Sequence, residues 1–403
     1  MSRRAGVALV ASGERVRFGT ALFAALVDRG WDAHLVLDGN EAARWPGLAK
    51  LSDPARIHLS PRHRPVGRAR ADIPRRVVRE LSRHPGGAAR YLRAGGRPRL
   101  RLLRGHDVEA ALIACRPRVV HFDSPFSAAE RMRVRHVVGC RSLVTVAMNE
   151  VGPPGAGPPD ALTTAFEEAD VLHVADEAVW QRLLAAGCPP GKARLVAPFP
   201  VTETDFFAPG ALDGATGGAS RPLRILSVGP LSWIQGYEWS LQALALLVER
   251  SPGCQCRIIG RGPHMEALYF ARHQLGLERQ VELVDQTPDR EELRAQLRWA
   301  DVYLDSAVAE GSISAAWEAM AMAVPVVATD RTVAPRALVD GETGFVVARR
   351  DPQAMAQRLA LLHSDVALRR RMAQAARRRL LERFPPEQQI AELERGYREV
   401  LDA

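Results

Sequence analysis

Lysine is nearly absent: Lys50 and Lys192 are the only two in 403 residues. Any anion site in the second half must therefore rest on guanidinium groups, helix ends or neutral donors. Long apolar runs are missing as well. No uninterrupted stretch approaches the roughly 20 residues of a membrane span, which excludes an integral helical membrane protein. The short apolar stretch near the start is followed at once by Glu14, Arg15 and Arg17, so it reads as a first strand and not as a secretory leader. Cysteine is sparse and odd in number: Cys115, Cys140, Cys188, Cys254 and Cys256. Cys254 and Cys256 lack CxxC spacing and have no second pair, so neither a disulfide framework nor a zinc site is expected, and a reducing cytoplasm is the natural compartment. With 32 glycines and 28 prolines, collagen-like and low-complexity classes are excluded too.

What is present is ordinary globular material. The chain is 47% apolar and 25% charged, and its length suits two domains or a little more. The charge is uneven. Between Arg62 and Arg104 there are fourteen arginines against only Asp72 and Glu80, a balance of +12 in a chain whose total is +9. The whole basic excess thus sits in one segment. Such a field draws a protein toward anionic lipid headgroups or a phosphorylated acceptor, or it is simply a solvated pair of helices. Nucleic acid is not expected as a partner, since Tyr91 is the one aromatic stacking face in that stretch.

Short apolar runs alternate with helical periodicity along the chain, which predicts a parallel-sheet α/β architecture. In the first half, residues 6–12, 33–39, 118–124, 143–149, 171–176 and 194–200 read as buried strands. A helix from Thr20 is stopped by Gly30, and another from Glu177 ends before Gly187. Residues 208–221 are small, polar and glycine-rich, a linker by composition. The alternation then restarts, with strands at 223–229, 255–260, 281–285, 302–306, 324–330 and 343–348. The plan is a first domain over 1–207 with an arginine-rich insert at about 61–104, a linker, a second domain over 222–385, and a final helix over 386–403 packing across the domain boundary. Two doubly wound domains joined in this way place a ligand beyond the carboxyl ends of the strands.

The most informative stretch runs from Asp305 to Asp330. A strand ends, a Gly/Ser loop follows, a helix is predicted to begin near Ser312, and Pro325 precedes the next strand. Ser312, Ile313 and Ser314 would present free backbone N–H groups at the helix start, a ready seat for a diphosphate. Glu318, about two turns in, faces the same way unless Met320 and Met322 take that face. A carboxylate there suits a ribose diol, because one carboxylate accepts two hydroxyl hydrogen bonds.

Glu310-x7-Glu318, followed by Ala319-Met-Ala321 and Pro325-Val-Val-Ala-Thr-Asp330, resembles the donor-site motif of the retaining glycosyltransferases of family four. Ser227-Val-Gly-Pro-Leu231, Ile258-Ile-Gly-Arg-Gly-Pro263 and Leu338-Val-Asp-Gly-Glu-Thr-Gly-Phe-Val346 match in the family's order, as do Val120-His-Phe-Asp123 and the run from Ala169 to Pro209. The resemblance covers most of the chain, more firmly its second half. It implies the GT-B fold: two Rossmann-like doubly wound domains facing each other across a cleft, with a C-terminal helix crossing back. It also implies sugar transfer from a nucleotide diphosphate to an acceptor hydroxyl, with retention at the anomeric carbon. Glu310 would meet the donor sugar, Glu318 the ribose, and Ser312 and Ile313 the phosphates. No metal or other cofactor is implied, because helix ends and cations supply the field that the departing diphosphate needs.

The pattern is not kept throughout. Gly229 is present, but Pro230 and Gln235 stand where the family has the Arg and Lys that clamp the diphosphate. Arg261, beside Gly262, is the leading compensating cation, with Arg331 and Arg336 next. In the first domain no His follows the strand that ends in Ala147-Met-Asn-Glu150. Glu150 and Asn149 are the candidates facing the acceptor, or else cap the strand end. Ser12 and Gly13 remain of a thin acceptor loop, and His121 reads as strand packing. Three functions are therefore open: a glycosyltransferase with an altered diphosphate site, a degenerate GT-B homologue acting as a partner or regulatory subunit, and a GT-B enzyme turned to another coupling. The first implies a glycan, lipid-linked or natural-product acceptor. The cytoplasm is the expected compartment, with peripheral contact at the inner membrane face through Arg62–Arg104 as one use of the basic excess.

Overall fold

A computed structural model describes residues 6–11, 16–37, 56–59, 106–129, 135, 138–146, 151, 158–174, 177–195, 207, 221–308, 314–330 and 338–402. The chain divides into two compact units, Met1–Val201 with Glu387–Ala403, and Thr202–Pro386. The arginine-rich segment at 61–104 and nearly all of the 208–221 linker lie outside the described residues.

The first unit carries seven parallel strands: β1 (Gly6–Ala11), β2 (Asp32–Leu37), β3 (Ile57–Leu59), β4 (Val119–Phe122), β5 (Arg141–Val146), β6 (Val171–Val174) and β7 (Ala193–Leu195). Their order is β3-β2-β1-β4-β5-β6-β7. Alternate residues of each strand feed opposite faces: Ala8 and Val10 enter one core, Val7, Leu9 and Ala11 the other. Burial on both sides is what makes these strands nearly continuous apolar runs.

The C-terminal helix Pro386–Asp402 closes the second of these faces, where Leu393 and Tyr397 are fully buried. A row of polar groups lies beneath it. His121 Nδ1 is 2.7 Å from the Tyr397 hydroxyl, and its Nε2 is 2.7 Å from Thr145 Oγ1. Trp31 Nε1 donates to Glu394 at 2.7 Å. Gly396 rides directly on the His173 ring, where a Cβ would come within 2.8 Å of Nε2. Only glycine allows that approach.

The second unit repeats the design with β8 (Arg224–Val228), β9 (Gln255–Gly260), β10 (Val281–Asp285), β11 (Val302–Asp305), β12 (Val326–Thr329) and β13 (Gly344–Val347). Their order is β10-β9-β8-β11-β12-β13, all parallel. Numbered from β8 this is 3-2-1-4-5-6, the doubly wound order whose switch point falls between the first and fourth strands. Helices are set by local signals. Asp289 accepts from Glu292 N–H at 2.9 Å and Glu292 returns the bond at 2.8 Å, a capping box that starts the helix Arg290–Trp299. Asp351 and Pro352 likewise start Pro352–Ser364. All five cysteines are free thiols, and among the described residues no helix is long and apolar enough to cross a membrane.

Candidate functional site

The crevice between β8 and β11 in the second unit is where this strand order leaves room for a ligand. Its walls are tied down by backbone. Gly229 N–H donates to Ile259 O at 3.1 Å, Leu231 N–H to Arg261 O at 2.8 Å, and His264 N–H to Leu231 O at 3.0 Å. The loops after β8 and β9 therefore run in contact. A Cβ at Gly260 would overlap the Gly229 carbonyl, and one at Gly262 the Leu231 backbone. Both glycines are required by packing alone.

Across the switch point the β8 loop is sewn to β11. The Tyr303 hydroxyl donates to Val228 O at 3.0 Å and Ser227 Oγ to Leu304 O at 2.7 Å. Further out, Ser306 Oγ donates to Gln235 O at 2.8 Å and Val308 N–H to Ile234 O at 2.8 Å. Thr329 Oγ1 holds the Ala307 carbonyl from β12. Gly236 takes φ of 59°, in the left-handed region, and a Cβ there would meet Ser306 O. This pins the turn Trp233–Gln235 at the mouth of the crevice, with Trp233 exposed and Gln235 buried.

After β11 the described chain resumes in the helix Ser314–Ala321. Ala316, Trp317, Ala319, Met320 and Ala321 are all buried, so packing surrounds the helix. Glu318 is its one carboxylate and is only 8% exposed. The two methionines expected to compete for its face are buried with it. Glu310, Ser312 and Ile313, and the side chain of Ser314, lie outside the described residues, as do Ser12, Gly13, Asn149, Glu150, Arg331 and Arg336.

Pro230 and Gln235 stand together in the β8 loop. Arg261 leans the other way. Its Nε is 3.6 Å from Asp285 Oδ1 on β10, and β9 separates β10 from β8. Both partners are more than half exposed, so the pair is weak, worth about 0–1 kcal/mol, and yields easily to a stronger anion.

One group of this region is not apparent as a site residue in the sequence. Asp305 ends β11, and burial pushes its carboxyl up to about 6, opposed only by the Ala307 N–H at 3.3 Å. The signal was the alternation: Val302 and Leu304 feed one core, while Tyr303 feeds the other, the face carrying the Ser314–Ala321 helix. Asp305 shares the parity of Tyr303, so an acid falls on an inward position. A carboxyl raised in the folded state adds stability below its ordinary value and loses it as pH rises through about 6. Asp305→Asn is therefore expected to stabilise the protein at pH 7.5 by about 1–2 kcal/mol, after allowance for the buried amide. Urea denaturation at pH 7.5 and pH 4 checks this, with the gain vanishing at the lower pH.

Residues 214–379 match the family described as glycosyl transferases group 1. Over the whole chain, a crystal structure of Anabaena HepE with UDP and glucose superposes with a TM-score of 0.71, covering 98% of this chain and 99% of that one at 13% identity. The sucrose-phosphate synthase of Thermosynechococcus elongatus superposes at 0.72, covering 99% and 100% at 19% identity. The chain has the GT-B glycosyltransferase fold. Among sequence relatives of this GT-B chain, the D-inositol 3-phosphate glycosyltransferase of Corynebacterium urealyticum is 34% identical over 224 residues, 52% of each chain. That of Corynebacterium glutamicum is 30% identical over 224 residues, 52% of this chain and 53% of the other. The GT-B chain thus spans about half the length of the relatives it matches.

Proposed function

We propose that the protein is a retaining glycosyltransferase that moves a sugar from a nucleotide-diphosphate sugar to an acceptor hydroxyl. The observation that carries the reading is the buried Glu318 on the helix that follows β11, next to the switch point of a sheet lying inside the group 1 match. A carboxylate at that place can accept two hydroxyl hydrogen bonds at once. The ribose diol is the proposed user.

In this reading the backbone N–H groups of Ser312, Ile313 and Ser314 receive the diphosphate, where charge grows as the sugar leaves. Glu310 orients the sugar through its hydroxyls. Gly229, Pro230 and Gly262 form the loop wall against which the nucleotide lies, and Arg261 swings from Asp285 to the phosphates when they arrive. On the first unit Ser12, Gly13, Asn149 and Glu150 are the proposed acceptor side, with Glu150 the proposed acid–base group. The arginine-rich segment suits an anionic, lipid-linked acceptor and a cytoplasmic protein resting on the inner membrane face. The competing reading, a non-catalytic partner protein, draws on Pro230, Gln235 and the Arg261–Asp285 pair.

Two measurements separate them. Incubation with UDP-, GDP-, TDP- and ADP-sugars should release the matching nucleoside diphosphate, read by mass spectrometry; no release from any of the four favours the partner protein. Glu318→Ala should weaken nucleoside diphosphate binding by about 10–100-fold, the loss of hydrogen bonds to a charged acceptor, while inorganic diphosphate binds as before. Unchanged nucleotide affinity removes Glu318 from the ribose.

A further inference from the structure

Two polar side chains at the switch point have hydrogen-bonding capacity that the described residues leave unused. Asp305 is 8% exposed, and among the described residues its carboxyl receives one bond, from Ala307 N–H to Oδ1 at 3.3 Å. Nothing described donates to Oδ2. Gln235 is 7% exposed. Its backbone is held by Ser232 and Ser306, yet its side-chain amide makes no hydrogen bond among the described residues. The amide lies over Gly229, where a Cβ would sit 3.4 Å from its Cδ. Both residues belong to the two stretches sewn together by Ser306 and Val308, one at the end of β11 and one in the β8 loop. Buried polar groups are as a rule paired, so two such side chains on bonded stretches at a ligand crevice call for a partner.

The chemistry of the pair narrows what that partner is. Asp305 offers acceptor oxygens, and Gln235 offers one acceptor and two donor hydrogens. A phosphate brings acceptors only: it would satisfy the amide and leave the carboxyl facing an anion. A hydroxyl group both donates and accepts, so neighbouring hydroxyls on a ring satisfy the acid and the amide together. We propose that Asp305 and Gln235 form a subsite for the hydroxyl groups of the transferred sugar. This rests on the nucleotide-sugar reading above and adds the residues that grip the sugar from the β8 and β11 side.

Calorimetric titration of wild type, Asp305→Asn and Gln235→Leu with UDP-glucose against UDP, and with GDP-mannose against GDP, tests it. The expected result is a loss of about tenfold or more for the sugar nucleotide in each variant, with the matching nucleoside diphosphate changed less than about twofold. Thermal melting accompanies the titration; Asp305→Asn should melt at or above wild type, so that a lost affinity is not lost folding. Equal losses for both ligands, or no loss for either, overturn the subsite while leaving nucleotide binding intact. Wild type that binds none of these ligands, and neither TDP, ADP nor their glucose conjugates, overturns the nucleotide-sugar reading itself, and the subsite with it.

Discussion

Acidification from pH 7 to pH 4 is expected to remove about 3 kcal/mol of stability from the first unit through one side chain, His173. The ring is wholly buried on β6, under Gly396 of the C-terminal helix, and neither nitrogen has a hydrogen-bond partner among the described residues. Burial, helped by the nearby Arg194 charge, lowers its value from 6.5 to about 3. The folded chain therefore keeps the ring neutral while the unfolded chain binds a proton below about 6.5. Stability is complete above that value and falls by about 1.4 kcal/mol for each pH unit down to about 3. Other groups titrate over the same range, so the informative quantity is the difference between wild type and His173→Leu. Urea denaturation at pH 7, 5.5 and 4 should show wild type losing stability faster than the variant. Parallel losses would mean that the ring is not held neutral.

The second large effect sits at the opposite end of the β11 strand from the proposed site. Asp301 is buried, accepts from Arg224 N–H at 3.0 Å, pairs with Arg221, and lies 4.0 Å from Arg369. Burial raises its carboxyl despite these partners, and the same burial lowers Arg369. The cluster joins the end of the linker to the sheet. Removing the acid takes the shared carboxylate from two guanidinium groups, one of them nearly inaccessible, and breaking a buried pair in this way costs about 3–5 kcal/mol. Asp301→Ala should lower the urea midpoint of the second unit accordingly. A loss below about 1 kcal/mol would show that water reaches the cluster and screens it.

Much of the fold is legible in the sequence because both sheets are parallel and covered on both faces. The strand residues of VYLDS and VPVVATD are all buried and mostly apolar, in short runs bounded by turn or helix signals. The edge strand Ile57–Leu59 was not read, since three residues carry no period. Helix starts were less exact. The first helix begins at Val16, four residues before the expected Thr20. His121 is in the strand packing, as its place between apolar residues suggested, but its bonds to Tyr397 and Thr145 join positions up to 276 residues apart. No local pattern announces such a contact.

The candidate site divides in the same way. The doubly wound order and the place of Gly229, Gly260 and Gly262 follow from motifs, because a glycine at a strand end signals close backbone approach. The direction of a long side chain does not follow. Arg261 turns to Asp285 because β9 and β10 end side by side, a register fixed by pairing 25 residues apart in sequence. Asp305 was legible in principle from strand parity, yet its meaning depends on which helix covers that face, and this is settled only by tertiary packing.

The most direct test of the account is calorimetric titration of the intact chain with UDP, GDP, TDP and ADP. Saturable binding of at least one, abolished or strongly weakened in Glu318→Ala, is the predicted result. Silence with all four nucleotides at millimolar concentration would contradict it.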